Sequence, residues 1–225
     1  MLTKRSPLLL LLPVGVAIAG FGWSAPAAIP PQTHIEIGSR SLASVRLTVA
    51  STGNEVRYRV REQLVGRDLP NDAVGATSAV TGAIVLDDAG RVVKEQSRIV
   101  ANVTGMKSDS DRRDGFIQRR LLEGEEHPTV ELSPTELHGL SGAVPTEGTA
   151  NLHLVADLTV KGVTRPTNWQ VTARFNGDQI SGSASTAFTF ADFELTQPRV
   201  PVLLSVSDTI RLEYDFTLQR ANLAN

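Results

Sequence analysis

Four histidines, His34, His127, His138 and His153, are the first candidates for metal ligation or proton transfer. No two stand at i, i+4, and no Asp or Glu joins them at a metal-ligand spacing, so no metal site is predicted. His127, just before Pro128, reads as a loop residue ahead of a strand carrying Val130 and Leu132, and His153 falls on the wet parity of its strand. The run Asp109-Ser110-Asp111-Arg112-Arg113-Asp114-Gly115 is acidic enough to suggest calcium. An EF-hand loop takes acids at positions 1, 3 and 5, Gly at 6 and Glu at 12, whereas here the third acid is one place late and Arg120 stands twelfth. Asp109 and Asp111 are better read as favouring the positive end of a following helix, with Arg112 and Arg113 paired to nearby acids. Nucleophilic chemistry is equally unsupported. There is no G-x-S-x-G elbow, and Gly139-Leu140-Ser141-Gly142 and Gly182-Ser183-Ala184-Ser185 read as turn or strand. No glycine-rich phosphate loop occurs, and the absence of cysteine removes disulfides, thiolate ligands, a thiol nucleophile and a lipidated cysteine together. The expectation is a protein without catalytic residues, metal or cofactor.

What remains is binding, and the elements that would position it are strands. The chain has 225 residues, 41% hydrophobic and 20% charged, and its 22 Lys and Arg against 24 Asp and Glu leave −2. That charge provides no field for nucleic acid. Val56, Tyr58 and Val60 alternate with Arg57, Arg59 and Arg61, as a strand with one buried face requires. Val74, Ala76, Val80, Ile84 and Leu86 share one parity before the turn Asp87-Asp88-Ala89-Gly90, and Ile99, Ala101 and Val103 share one after it, which predicts a long hairpin. Leu152, Leu154, Ala156, Leu158 and Val160 form another stripe, followed by punctuation at Lys161-Gly162 and Arg165-Pro166. Trp169, Val171, Ala173 and Phe175 lead to an Asn176-Gly177 hairpin signal, with Ile180, Ala184, Phe188 and Phe190 beyond it. Ile210, Leu212, Tyr214, Phe216 and Leu218 close the set. One helix of about three turns is predicted from a cap at Ser108, Ile117 and Leu121 at i and i+4, and a stop at Gly124. Such strands pack either as two facing sheets or as a closed barrel, and alternation alone does not choose. The inward parity mixes aromatics with Ala76, Gly82, Ala101, Ala156, Ala173, Gly182 and Ala184, which leaves a tunnel or fits a taper.

The N-terminus reads as an export segment. Lys4 and Arg5 precede an uncharged apolar run over residues 8–22, and Ala25-Pro26-Ala27 offers small residues in an A-x-A spacing. Residues 1–27 are read as a signal peptide or an uncleaved membrane anchor, 28–44 as a linker, 45–220 as one domain and 221–225 as a tail. This places the domain in the periplasm or outside the cell, with membrane association through the N-terminal segment if the anchor is retained.

Several segments resemble the YceI-like family. They are Ser97-Arg98-Ile99-Val100-Ala101-Asn102-Val103, Ser108-Asp109, Arg113-Asp114-Gly115-Phe116-Ile117-Gln118 and His127-Pro128-Thr129-Val130. Asp157-Leu158-Thr159-Val160-Lys161-Gly162-Val163-Thr164-Arg165-Pro166 is similar too, as are Phe188-Thr189-Phe190-Ala191-Asp192-Phe193 and Asp208-Thr209-Ile210-Arg211-Leu212. Together they cover residues 53–219. The resemblance implies an all-β fold, an extended antiparallel lipocalin-like β-barrel of about eight or more strands with one short helix, exported and holding an isoprenoid lipid or quinone. It implies that Arg113, Asp114, Phe116 and Ile117 lie at the barrel rim or cap. Three departures bear on the ligand's head group: Asn54-Glu55 where the family carries His-Ser, Asn102 where it carries Asp, and a longer segment at residues 65–77.

The inward side chains expected to touch such a chain are Tyr58, Val60, Ile99, Phe116, Ile117, Trp169, Val171, Phe175, Phe188, Phe190, Leu212, Tyr214 and Phe216, each of which equally suits plain core packing. About fifteen buried carbons at about 0.8 kcal/mol each give roughly 12 kcal/mol before ordering and association costs, so no charged motif is needed. The alternatives are an envelope interaction module whose barrel is filled and, more remotely, an enzyme acting on a small molecule. Oligomeric state stays open, a dimer included.

Overall fold

The computed structural model describes residues 44–223. The segment read as signal or anchor, residues 28–43 of the linker, and residues 224–225 lie outside the described residues. Among the described residues no helix is long and apolar enough to cross a membrane.

Eleven strands form one antiparallel sheet that closes on itself as an eight-stranded barrel. Closure is made by the two ends of the described chain. β1 (Ser44–Val49) pairs with the end of β11 (Leu203–Leu223), placing Ser44 opposite Leu223 and Val49 opposite Leu218. β2 (Glu55–Leu64) continues the line of β1 along the same strand, with Glu55 opposite Asp215 and Leu64 opposite Leu203. β3 (Asn71–Thr77) and β4 (Val80–Leu86) likewise follow one another, lying along β2 and β1. β5 (Arg98–Asn102) pairs with β4, and the short β6 (Lys107–Ser108) pairs with β3. β7 (Thr129–His138), β8 (Glu147–Val160), β9 (Val163–Asn176) and β10 (Gln179–Thr189) complete an up-and-down ring back to β11. No edge remains where β1 meets β11, which answers the choice between sandwich and barrel that alternation left open.

The breaks between paired segments have local causes. Between β1 and β2, Gly53 takes φ +77° and Asn54 turns inward, 6% exposed. Its Oδ1 accepts from the Tyr214 hydroxyl at 2.8 Å and from Thr217 N–H at 3.1 Å, while its Nδ2 donates to the Ala50 carbonyl at 2.9 Å. The residue that departs from the family pattern is therefore a buried brace. Between β3 and β4 the parity changes. Ala73 and Thr77 are buried with Gly75 between them, whereas Val74 and Ala76 are only half-buried. The expected inward set beginning Val74 and Ala76 is thus on the outer face of β3. The inward position is glycine because the Tyr58 ring, directly across the β2–β3 pair, lies where a Gly75 Cβ would be.

Turn chemistry also shifts by a residue. Asn176 is still in β9, opposite Gln179, and the two-residue turn is Gly177-Asp178. Of those two only Gly177 has positive φ, the arrangement of a II′ turn with glycine first. Lys161 (φ +48°) and Gly162 (φ +75°) form the β8–β9 turn, while Arg165 and Pro166 belong to β9. Proline is tolerated there because β10 pairs with β9 only from Gln170 onward. The helix α1 (Asp111–Phe116) is capped by Ser110, whose hydroxyl accepts from Arg113 N–H at 3.4 Å, rather than by Ser108. It runs into a wider π turn, Ile117–Leu121, and Glu123 rather than Gly124 takes the left-handed backbone (φ +51°).

Candidate functional site

The barrel interior divides along its axis. In one half, inward side chains of β1, β4, β5 and β7–β11 interlock, and only about 80 Å³ of space remains. Ile99, Trp169, Val171, Phe175, Tyr214 and Phe216 all line this void. It is well short of the roughly 150 Å³ that accepts a benzene-sized guest, so these side chains are packed core. Trp169 Nε1–H donates to Thr167 Oγ1 at 2.9 Å, and Thr167 donates on to the Ala156 carbonyl at 2.9 Å, which satisfies the polar atoms of that core. Burial with no compensating charge raises the Tyr214 phenol well above its ordinary value.

The other half is hollow, with a cavity of about 730 Å³. This lies within the roughly 300–1,000 Å³ usual for small-molecule sites. Its wall combines the far ends of the strands with α1, the π turn, the β2–β3 hairpin and the segment leading into β11. Tyr58, Val60, Arg113, Phe116, Ile117, Phe188, Phe190 and Leu212 all face it. Asp114 does not. It is buried beneath α1, its Oδ1 accepting from Ser108 N–H at 2.9 Å and Ser108 Oγ at 2.6 Å, and so ties the helix to β6.

Sequence reasoning missed much of the wall, including Leu64, Val65, Met106, Leu122, Val130, Leu195, Val202, Val206 and Ile210. Above all it missed Glu62. The inward parity of β2 runs Val56, Tyr58, Val60, Glu62, and a carboxylate on that apolar face was the available signal. Glu62 is 6% exposed. Its Oε1 accepts from Arg113 Nη2 at 2.7 Å and from Asn71 Nδ2 at 3.3 Å. Arg113 also pairs with Asp109. Burial opposes the Arg113 charge, but Asp109 and Glu62 more than offset this and hold the guanidinium above its ordinary value. Tyr58 lies beside this cluster, its hydroxyl buried and without a hydrogen-bond partner among the described residues. Burial pushes its phenol up to about 12, against the pull of the Arg113 charge. The site is therefore an apolar chamber with one polar corner.

Elsewhere, Glu123, Glu126 and His127 bring ligand atoms within 4.8 Å of one another, but the Glu123 carboxylate is already paired with Lys161 at 2.6 Å.

A closed up-and-down barrel with a chamber open at one end is a lipocalin-like architecture. The chain matches the YceI-like domain over residues 47–218 and belongs to that family. Among solved structures it is similar to a polyisoprenoid binding domain from Saccharophagus degradans, with 13% identity, TM-score 0.59, and coverage of 80% of this chain and 99% of that one. It is also similar to BcnA from Burkholderia cenocepacia, with 13% identity, TM-score 0.54, and coverage of 75% and 98%. At these identities the likeness is one of fold. No curated protein matches the chain in sequence.

Proposed function

We propose that the protein binds and carries a single apolar chain, an isoprenoid lipid or an isoprenoid quinone, in the 730 Å³ chamber. The observation that carries this reading is the chamber itself, an apolar volume held open at one end of a barrel whose other end is packed. Family membership supports it, as does the polyisoprenoid-binding description of a relative in fold. Burying chain carbons at about 0.8 kcal/mol each supplies the affinity. The polar corner of Tyr58, Glu62 and Arg113 suits a hydrogen-bonding head group. The volume counts against the filled-barrel alternative. We assign the site no chemical step, metal or resident cofactor. We further propose that the domain works outside the cytoplasm, on the strength of Lys4, Arg5 and the apolar run at residues 8–22.

The test is mass spectrometry of organic extracts from the folded, purified protein, followed by titration of the stripped protein with isoprenoid alcohols of graded chain length. One chain per protein and saturable uptake are expected. Neither recovery nor uptake would overturn the reading.

A further inference from the structure

The chamber opens through a rim that is apolar on its outer side as well as its inner one. Val65 and Val202 both line the chamber and are 58% and 48% exposed, so they stand at its mouth. They are joined by a backbone hydrogen bond, Val65 N–H to the Val202 carbonyl at 3.0 Å. Next to them Leu69, in the β2–β3 hairpin, is 77% exposed and Leu204, at the start of β11, is 65% exposed. These four are the exposed large hydrophobic residues among the described residues, and all lie at one end of the barrel. Isolated exposed leucines are ordinary, but a group at the mouth of an apolar chamber marks an interaction surface.

Charge identifies the partner. Arg67 and Arg112 are exposed and line the same mouth, and Arg199 is exposed between Pro198 and Val200, which also line it. None of the three makes an ion pair among the described residues. Of the acids near this mouth, Glu62 and Asp109 share Arg113, Asp111 pairs with Lys107 at 3.6 Å, and Asp68 makes no ion pair among the described residues. Among the exposed groups of the rim, Arg67, Lys107, Arg112 and Arg199 stand against Asp68, Asp109 and Asp111, an excess of one positive charge on a chain whose net charge is −2.

We propose that this end of the barrel docks on an anionic phospholipid surface, with Leu69, Val65, Val202 and Leu204 entering the bilayer and Arg67, Arg112 and Arg199 meeting its head groups. Apolar insertion and basic attraction are the two contributions that together give stable peripheral binding. The proposal rests on the reading that the chamber holds an apolar chain, because such a molecule resides in bilayers and a docked mouth passes it across without exposing it to water.

The absence of cysteine allows single-site labelling of the full chain. Three variants, Leu69→Cys, Leu204→Cys and Asp178→Cys, carry an environment-sensitive dye. Asp178 lies in the β9–β10 turn beside the packed half, so it reports any attachment that is not through the mouth. Vesicles of phosphatidylglycerol or of phosphatidylcholine carry nitroxide-labelled lipid as quencher. With phosphatidylglycerol, quenching at Leu69 and Leu204 is expected to exceed that at Asp178 on the order of tenfold, and to fall in high salt. Quenching at neither leucine, or equal quenching at all three sites, overturns the proposal. So does a vesicle-independent blue shift at Leu69 that grows with protein concentration, since a second copy would then cover the patch. Uptake of a fluorescent isoprenoid without vesicles is measured on the same samples. Failure of that uptake, with quenching intact, would refute the chamber's ligand and leave the docking surface standing.

Discussion

Adding the same side-chain volume to the two halves of the barrel should have opposite consequences. Ala101 on β5 lines the 730 Å³ chamber, whereas Ala184 on β10 lines the void of about 80 Å³. Replacing either with Phe adds one ring, and a benzene-sized guest occupies a cavity of roughly 150 Å³. At Ala184 the ring exceeds the available space, so neighbouring side chains leave their rotamers at a cost of about 1–3 kcal/mol. At Ala101 the ring enters open volume and buries new apolar surface, so stability is unchanged or rises by about 0.5–2 kcal/mol. In a domain of this size that separates the two variants by roughly 2–20 °C in Tm. Ligand binding should move the other way. Ala101→Phe takes room equivalent to about five chain carbons at about 0.8 kcal/mol each, enough to weaken uptake more than tenfold. Ala184→Phe should leave uptake near wild type. Urea unfolding and fluorescent-isoprenoid titration on both variants provide the readouts. Equal destabilisation by the two substitutions, or undiminished uptake by Ala101→Phe, would refute the division of the barrel into packed and open halves.

Removing Arg113 as Arg113→Met strands the Glu62 carboxylate in the chamber wall and should destabilise by about 3–5 kcal/mol, with the double change Glu62→Met/Arg113→Met recovering much of the loss in urea unfolding. Gly75→Ala places a methyl where the Tyr58 ring lies, and should cost about 1–3 kcal/mol, partly restored when Tyr58→Leu is added. On the outer wall, Arg61 and Arg59 hold Asp72 below the usual carboxylate range, and Arg59 and Arg57 do so for Glu213. Their contribution to stability is complete above the unfolded carboxylate pKa of about 4 and is lost as pH falls through the lower folded values. Arg59→Gln should therefore flatten the acid limb of a stability-against-pH curve. At the alkaline end, Tyr58 is raised to about 12. Its contribution is complete below the unfolded phenol pKa of about 10 and is lost as pH rises through the folded value, so Tyr58→Phe should reduce alkaline unfolding.

Inward and outward faces were legible in the sequence wherever alternation is strict, as in β2, β8, β9 and β11. They were not legible in β3, where Ala73 and Gly75 face inward and Val74 faces out, because the space belongs to a Tyr58 ring from the neighbouring strand. Alternation reports which face a side chain takes, not its height along the barrel axis. Phe188 and Phe175 share the inward face, yet one borders the chamber and the other the packed core. Closure was illegible for a similar reason, since it rests on the pairing of Ser44 with Leu223, residues as far apart as the described chain allows. The charge of Glu62 on an apolar parity was in plain view, but its partner lies 51 positions away, and no local pattern joins the two.

We propose that an apolar chain lies in the open half of the barrel and nowhere else. Isotope-filtered NMR of labelled protein with an unlabelled isoprenoid alcohol addresses it directly, by recording which side chains lie against the chain. Contacts to Tyr58, Ile117, Phe188 and Leu212 are expected, and none to Trp169, Phe175 or Phe216. Contacts confined to the outer surface, or contacts to those three packed aromatics, would contradict it.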